Sequence, residues 1–85
     1  MTETLSAETL LSAHLITELR AQIDGDVSTR SRVIDGLLDL RNAVRGNDAA
    51  LALVDQLLAD LPGLTTVPNG WWRDALGAVE AQLHV

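Results

Sequence analysis

The sequence has no cysteine, no lysine, no phenylalanine and no tyrosine. Without cysteine there are no disulfides, no thiolate metal sites and no cysteine nucleophile, and the redox compartment cannot be read from cysteine pairing. A chain of 85 residues buries only about 60–65 % of its unfolded surface, so without staples it must depend on helix packing or on a second subunit. Long apolar runs are missing too. The longest is Ala49–Val54, far short of the ~20 residues that span a bilayer. The opening MTETLSAETLLSAHLITELR carries acids where an export signal has a basic region. Neither membrane insertion nor export is expected, which points to the cytoplasm. Phosphate-cradling glycine loops with a lysine and paired metal-binding histidines of the HExxH kind are absent as well, which argues against an enzyme.

What is present is a hydrophobic fraction of 47 %, too high for intrinsic disorder despite a net charge of −6. The organising stretch is Ser28–Gly46, STRSRVIDGLLDLRNAVRG. It holds four of the six arginines (Arg30, Arg32, Arg41, Arg45) against Asp35 and Asp39, giving it +2, while the rest of the chain sums to −8. Val33, Leu37, Leu40 and Val44 recur at helical spacing and define a core face. Ile34 and Leu38 lie beside that face, with Arg41 and Arg45 on the same flank, a mixed stripe suited to a partner. Ser28 is the expected N-cap and Gly46 the C-cap residue. Gly36, costing up to about 1 kcal/mol against alanine in a helix, signals either close packing of another helix or an imperfect sequence.

Three further helices follow from the same periodicity. In the first, Thr4 or Ser6 caps, Glu8 favours the positive end of the helix dipole, and Leu11, Leu15, Leu19 and Ile23 form the stripe with Ile16 alongside. Asp24-Gly25-Asp26 ends it. The third is capped by Asn47 and has Leu51, Val54, Leu58 and Leu61 on its main face, widened by Leu53 and Leu57. Pro62-Gly63 stops it, and Leu64 and Val67 are expected to seal one end of the core. The last helix starts near Pro68-Asn69-Gly70 and buries Trp72, Leu76, Val79 and Leu83. Trp71, about 100° off that stripe, is either an interface anchor or a cover over the open end of the bundle. No internal repeat is evident.

His14 and His84 each have a glutamate four residues away, Glu18 and Glu80, a helical spacing that brings the side chains together. The Glu-x-x-His pattern of di-metal bundles is missing, so these read as surface pairs. Asp35 with Asp39, and Asp48, Asp55 and Asp60, read as solvated faces, since divided acid–base roles need a pocket that separates the pKa values.

The expectation is an all-α fold, a compact dimeric bundle of four short helices at 6–24, 28–45, 48–61 and 69–84, making residues 1–85 a single domain. The expected function is non-enzymatic: a protein–protein interaction module with no cofactor and no metal, whose interface residues are Ile34, Leu38, Arg41, Arg45, Leu53 and Trp71. The leucine- and alanine-rich, lysine-free composition fits a high-GC bacterium or phage, where such a protein would be a small regulator or inhibitor of a host protein. The alternatives are a DNA-binding regulator using the 28–45 helix, disfavoured by the acidic remainder, and a small helical enzyme or metal-binding bundle.

Overall fold

The computed structural model describes residues 7–83, with side chains from Leu10 onward. Its elements are α1 (Ala7–Ala21), β1 (Val27–Thr29), α2 (Arg30–Ala43), α3 (Asp48–Ala59), β2 (Thr66–Pro68) and α4 (Asn69–Leu83). The structure is 72 % helix, consistent with the all-α expectation. The cap residues Thr4 and Ser6, the Glu8 side chain and His84 lie outside the described residues. α1 and α3 each pack on both α2 and α4, so the four helices form a ring around one core of Ile16, Val33, Leu37, Leu40, Val54, Val67, Trp72, Leu76 and Val79.

Two three-residue strands were not anticipated. β-Branched Val27, Thr29, Thr66 and Val67 favour extended backbone, and β1 pairs antiparallel with β2 around the central pair Ser28–Val67. Outer bonds run from Arg30 N–H to the Thr65 carbonyl, 2.9 Å, and from Asn69 N–H to the Asp26 carbonyl, 2.8 Å. The alternation of an antiparallel ladder then puts Pro68 in a non-hydrogen-bonded pair, where its missing N–H costs nothing. Ser28 therefore belongs to a strand and does not cap α2. The N-cap is Thr29, which makes no side-chain capping bond.

Asn69 is also more than a turn residue. It is fully buried, its Nδ2 donates to the Asp24 and Gly25 carbonyls at 2.9 Å each, and its Oδ1 accepts the Ser28 hydroxyl. The side chain thus ties the start of α4 to the loop leaving α1. A two-stranded ribbon is marginal by itself, and this clasp supplies part of what it lacks.

The halves α1–β1–α2 and α3–β2–α4 repeat one plan. Val33, Leu37, Leu40 and Val44 recur 39 positions on (72 minus 33) as Trp72, Leu76, Val79 and Leu83, all buried. Ser12 and Ile16 recur 38 positions on (50 minus 12) as Ala50 and Val54, also buried. Gly25 and Gly63 both take left-handed φ, 77° and 80°. The halves are related by a two-fold through the Ser28–Val67 pair, and the one-residue difference in offset lies in the loop between Gly63 and Val67. The expectation of no internal repeat is corrected by this duplication.

Other corrections follow from the packing. The buried line of α1 is Ser12 (1 % exposed) and Ile16, whereas Leu11 is 65 % exposed. The Ser12 hydroxyl donates to the Ala43 carbonyl of α2 at 3.0 Å, while Leu15, Leu19 and Ile23 of the predicted stripe pack partly buried against the core. α1 stops at Ala21 after tightened bonds at Gln22 and Ile23, so Gly25 shapes the turn into β1 and is not the helix cap. Gly46 does not adopt positive φ, and α2 ends at Val44. Leu64, 94 % exposed, seals nothing, while Val67 is buried as expected. Asn47 does cap α3, accepting the Ala50 N–H at 3.1 Å. At Gly36 a Cβ would stand 3.0 Å from Trp72 Cζ2 and 3.2 Å from Leu19 Cδ2, so the packing explanation for this glycine is the correct one.

Candidate functional site

The clearest surface feature is the flank of α2 beside α3. Arg41 Nε donates to Asp55 Oδ1 at 2.6 Å, which marks the side each helix turns to the other. At about 100° per residue, Ile34 and Leu38 fall within about 60° of Arg41 around α2, while Arg45 lies beyond the Val44 C-cap in the turn that follows. Ile34, Leu38 and Arg41 therefore share one flank. Leu38 is 45 % exposed, Ile34 half-buried, and Arg41 and Arg45 exposed. On α3, Ala52, Asp55 and Ala59 are exposed, and Ala52 and Ala59 fall within about 60° of Asp55 around the helix.

Leu53 and Trp71 are not brought there. Leu53 is two residues from Asp55, about 200° around the helix, and packs half-buried against the core on the α4 side. Trp71 is half-buried against the same core.

The duplicated plan permits an internal comparison. The positions of α4 equivalent to Ile34 and Leu38 are Arg73 and Gly77. Because the same scaffold position accepts arginine and glycine in one half, core packing does not demand isoleucine and leucine in the other.

The α1–α4 flank is instead polar. Arg20 Nη2 donates to Glu80 Oε1 at 3.2 Å, so Glu80 faces α1 as part of an inter-helix pair. His14 pairs with Glu18 at 3.2 Å, both largely exposed. Asp35 and Asp39 are exposed on α2, Asp48 at the start of α3 and Asp60 at its C-cap. Among the described residues no group of three or more histidine, aspartate or glutamate side chains is placed to hold a metal ion, and no helix is long and apolar enough to cross a membrane.

The arginines of α2 do not line up. Arg32 is nine residues from Arg41, half a turn away around the helix at about 180°. Arg41 is engaged by Asp55, and Arg30 has a buried Nε.

The chain matches no protein-family model, no curated protein and no solved structure. What defines it is its architecture, a two-fold-repeated helix–strand–helix unit closed by a short antiparallel ribbon.

Proposed function

We propose that this protein is a non-enzymatic interaction module that presents the α2–α3 flank to another protein, first of all to a second copy of itself. The observation that supports this is the contrast between Ile34 and Leu38 on one flank and Arg73 and Gly77 at the equivalent positions of the other. Leaving Leu38 half in water forgoes part of the roughly 1.5–3 kcal/mol that full burial of such a side chain contributes. A two-fold dimer that buries it recovers that stabilisation and is the commonest symmetric solution. Arg45, exposed in the turn after α2, has acidic residues such as Asp48 to meet on an opposing copy, where a planar guanidinium can cover apolar surface and still pair with carboxylate. The role would be that of a small cytoplasmic regulator or inhibitor of a host protein in a high-GC bacterium or phage. DNA binding by α2 finds less support, because its arginines are split between opposite flanks and the surrounding field is negative.

Sedimentation equilibrium at micromolar concentration tests the reading. The parent should show a dimer mass, and Leu38→Glu should weaken association by at least about tenfold, ~1.4 kcal/mol, with helix content unchanged. A strictly monomeric parent removes self-association from the proposal. Sequence-specific DNA binding at physiological salt, lost on replacing Arg41 and Arg45 with glutamine, would replace the proposal with the DNA-binding alternative.

A further inference from the structure

Asn69 is followed by Gly70, and the fold does not ask for that glycine. A Cβ at Gly70 would meet nothing within 4 Å, its φ is not positive, and it stands in the first turn of α4, although glycine is a poor helix former. What glycine brings here is chemical. With no Cβ beside it, the Gly70 nitrogen is open to attack on the side-chain amide of the residue before it. Neither of the other asparagines has such a neighbour, since Asn42 precedes Ala43 and Asn47 precedes Asp48.

The native surroundings of Asn69 hold this reaction off. Its Nδ2 donates to the Asp24 and Gly25 carbonyls at 2.9 Å each, and its Oδ1 accepts the Ser28 hydroxyl, so the amide is turned to the α1–β1 loop and not to the Gly70 nitrogen. The backbone of Asn69 is that of a helix start, fixed by its N–H bonded to the Asp26 carbonyl at 2.8 Å. Closing a ring onto the next nitrogen requires the residue to leave that conformation. Asn69 is also fully buried, which keeps out the water that completes the reaction.

We propose that Asn69–Gly70 is a site of spontaneous deamidation, restrained by the same clasp that the reaction destroys, so that the ribbon carries a one-way conformational device. When the ribbon opens locally, the Gly70 nitrogen gives up its proton to solvent base and attacks Asn69 Cγ. The new carbon–nitrogen bond closes a five-membered succinimide, and the side-chain nitrogen leaves as ammonia with a proton from water. Water then adds to one of the two ring carbonyls and opens the ring to aspartate or to isoaspartate. In sum, an amide and water become a carboxylate and ammonium, and nothing is oxidised or reduced. Neither product remakes the clasp. A carboxylate has no hydrogen to give the Asp24 and Gly25 carbonyls and brings a charge into a buried position. Isoaspartate also lengthens the main chain, which shifts its N–H out of register with the Asp26 carbonyl. The three-residue strands, marginal by themselves, then lose their tie to α4.

The test follows the full chain by mass spectrometry with peptide mapping in mildly alkaline buffer, folded and in urea. In urea the mass gain of deamidation should accumulate at Asn69 well ahead of Asn42 and Asn47. In the folded chain it should be at least about tenfold slower, because three side-chain hydrogen bonds must first break. Ser28→Ala removes one of them and should speed the folded-state reaction by about threefold or more, with the rate in urea unchanged. Gly70→Ala, for which the structure has room, should keep the fold and suppress the reaction in urea. Chain deamidated in urea and returned to buffer should melt at a lower temperature than unreacted chain carried through the same cycle. Equal rates at Asn69 in folded and unfolded chain would overturn the proposal, and that comparison needs no variant to fold. A deamidated chain that melts with the parent would overturn it too, as would a folded Ser28→Ala chain that reacts no faster than the parent.

Discussion

Gly36 and Gly77 both lie inside helices, but in opposite surroundings. A Cβ at Gly36 meets Trp72 at 3.0 Å, while one at Gly77 meets nothing within 4 Å. Gly77→Ala should therefore stabilise by about 0.5–1 kcal/mol through helix propensity and a less free unfolded chain. At Gly36 the same gain is offset by overpacking worth about 1–3 kcal/mol, so Gly36→Ala should be neutral to destabilising by up to ~2 kcal/mol. Urea denaturation of the pair reads the difference directly, and equal gains at both would contradict the close α2–α4 approach. Trp72 itself, 3 % exposed, should lose about 3–5 kcal/mol on replacement by alanine, enough to unfold much of so small a domain. Trp71→Ala should lose less, since its ring is only half-buried; a larger loss than at Trp72 in the same denaturation series would reverse the ranking.

At the scale of elements, the ribbon is the part that needs explaining, because strands of three residues do not hold by themselves. Asn69 joins β1, the α1–β1 loop and the first turn of α4 through three side-chain hydrogen bonds. Asn69→Ala leaves the Asp24 and Gly25 carbonyls and the Ser28 hydroxyl without this partner and should cost about 1–3 kcal/mol. Asn69→Asp should cost more, since a carboxylate turned toward two carbonyls has no donor to offer and would be buried with its charge. Thermal unfolding of the two variants gives the order, and an aspartate variant as stable as the parent would show that the clasp is dispensable. The loop on the other side depends on Gly63. Its φ of 80° and a Thr66 carbonyl oxygen 2.0 Å from where a Cβ would stand leave no side chain that fits.

For the molecule as a whole, the duplication makes the chain a covalent pair of halves. The end of α4 stands to the start of α1 as the end of α2 stands to the start of α3, a step the chain crosses between Val44 and Asp48. Joining the ends of the chain and opening it at Gly46 should therefore give a circular permutant with the same four helices and the same ribbon. Far-ultraviolet circular dichroism and a cooperative thermal transition are the readout, and a permutant without helical structure would refute the two-fold plan. The inter-half ion pairs Arg41–Asp55 and Arg20–Glu80 are too exposed to carry the assembly, each contributing at most about 1 kcal/mol. The shared core and the ribbon must do so.

The number of helices, the buried faces of α2 and α4 and the Asn47 cap are local matters, set by a 3.6-residue period or by hydrogen bonds three residues apart, and the sequence alone determined them. The flank shared by Ile34, Leu38 and Arg41 was legible for the same reason, whereas Arg45 falls in the turn after α2. Where Leu53 and Trp71 lie relative to that flank was not legible, because which side of a helix meets which neighbour is not periodic information. The burial of Ser12 goes with its contact to Ala43, the clasp of Asn69 with carbonyls more than forty residues away, and the duplication stayed hidden because its offset changes by one residue between Gly63 and Val67. In each case the deciding partner is remote in the chain, and only the tertiary structure brings it within reach of a hydrogen bond or a packed ring.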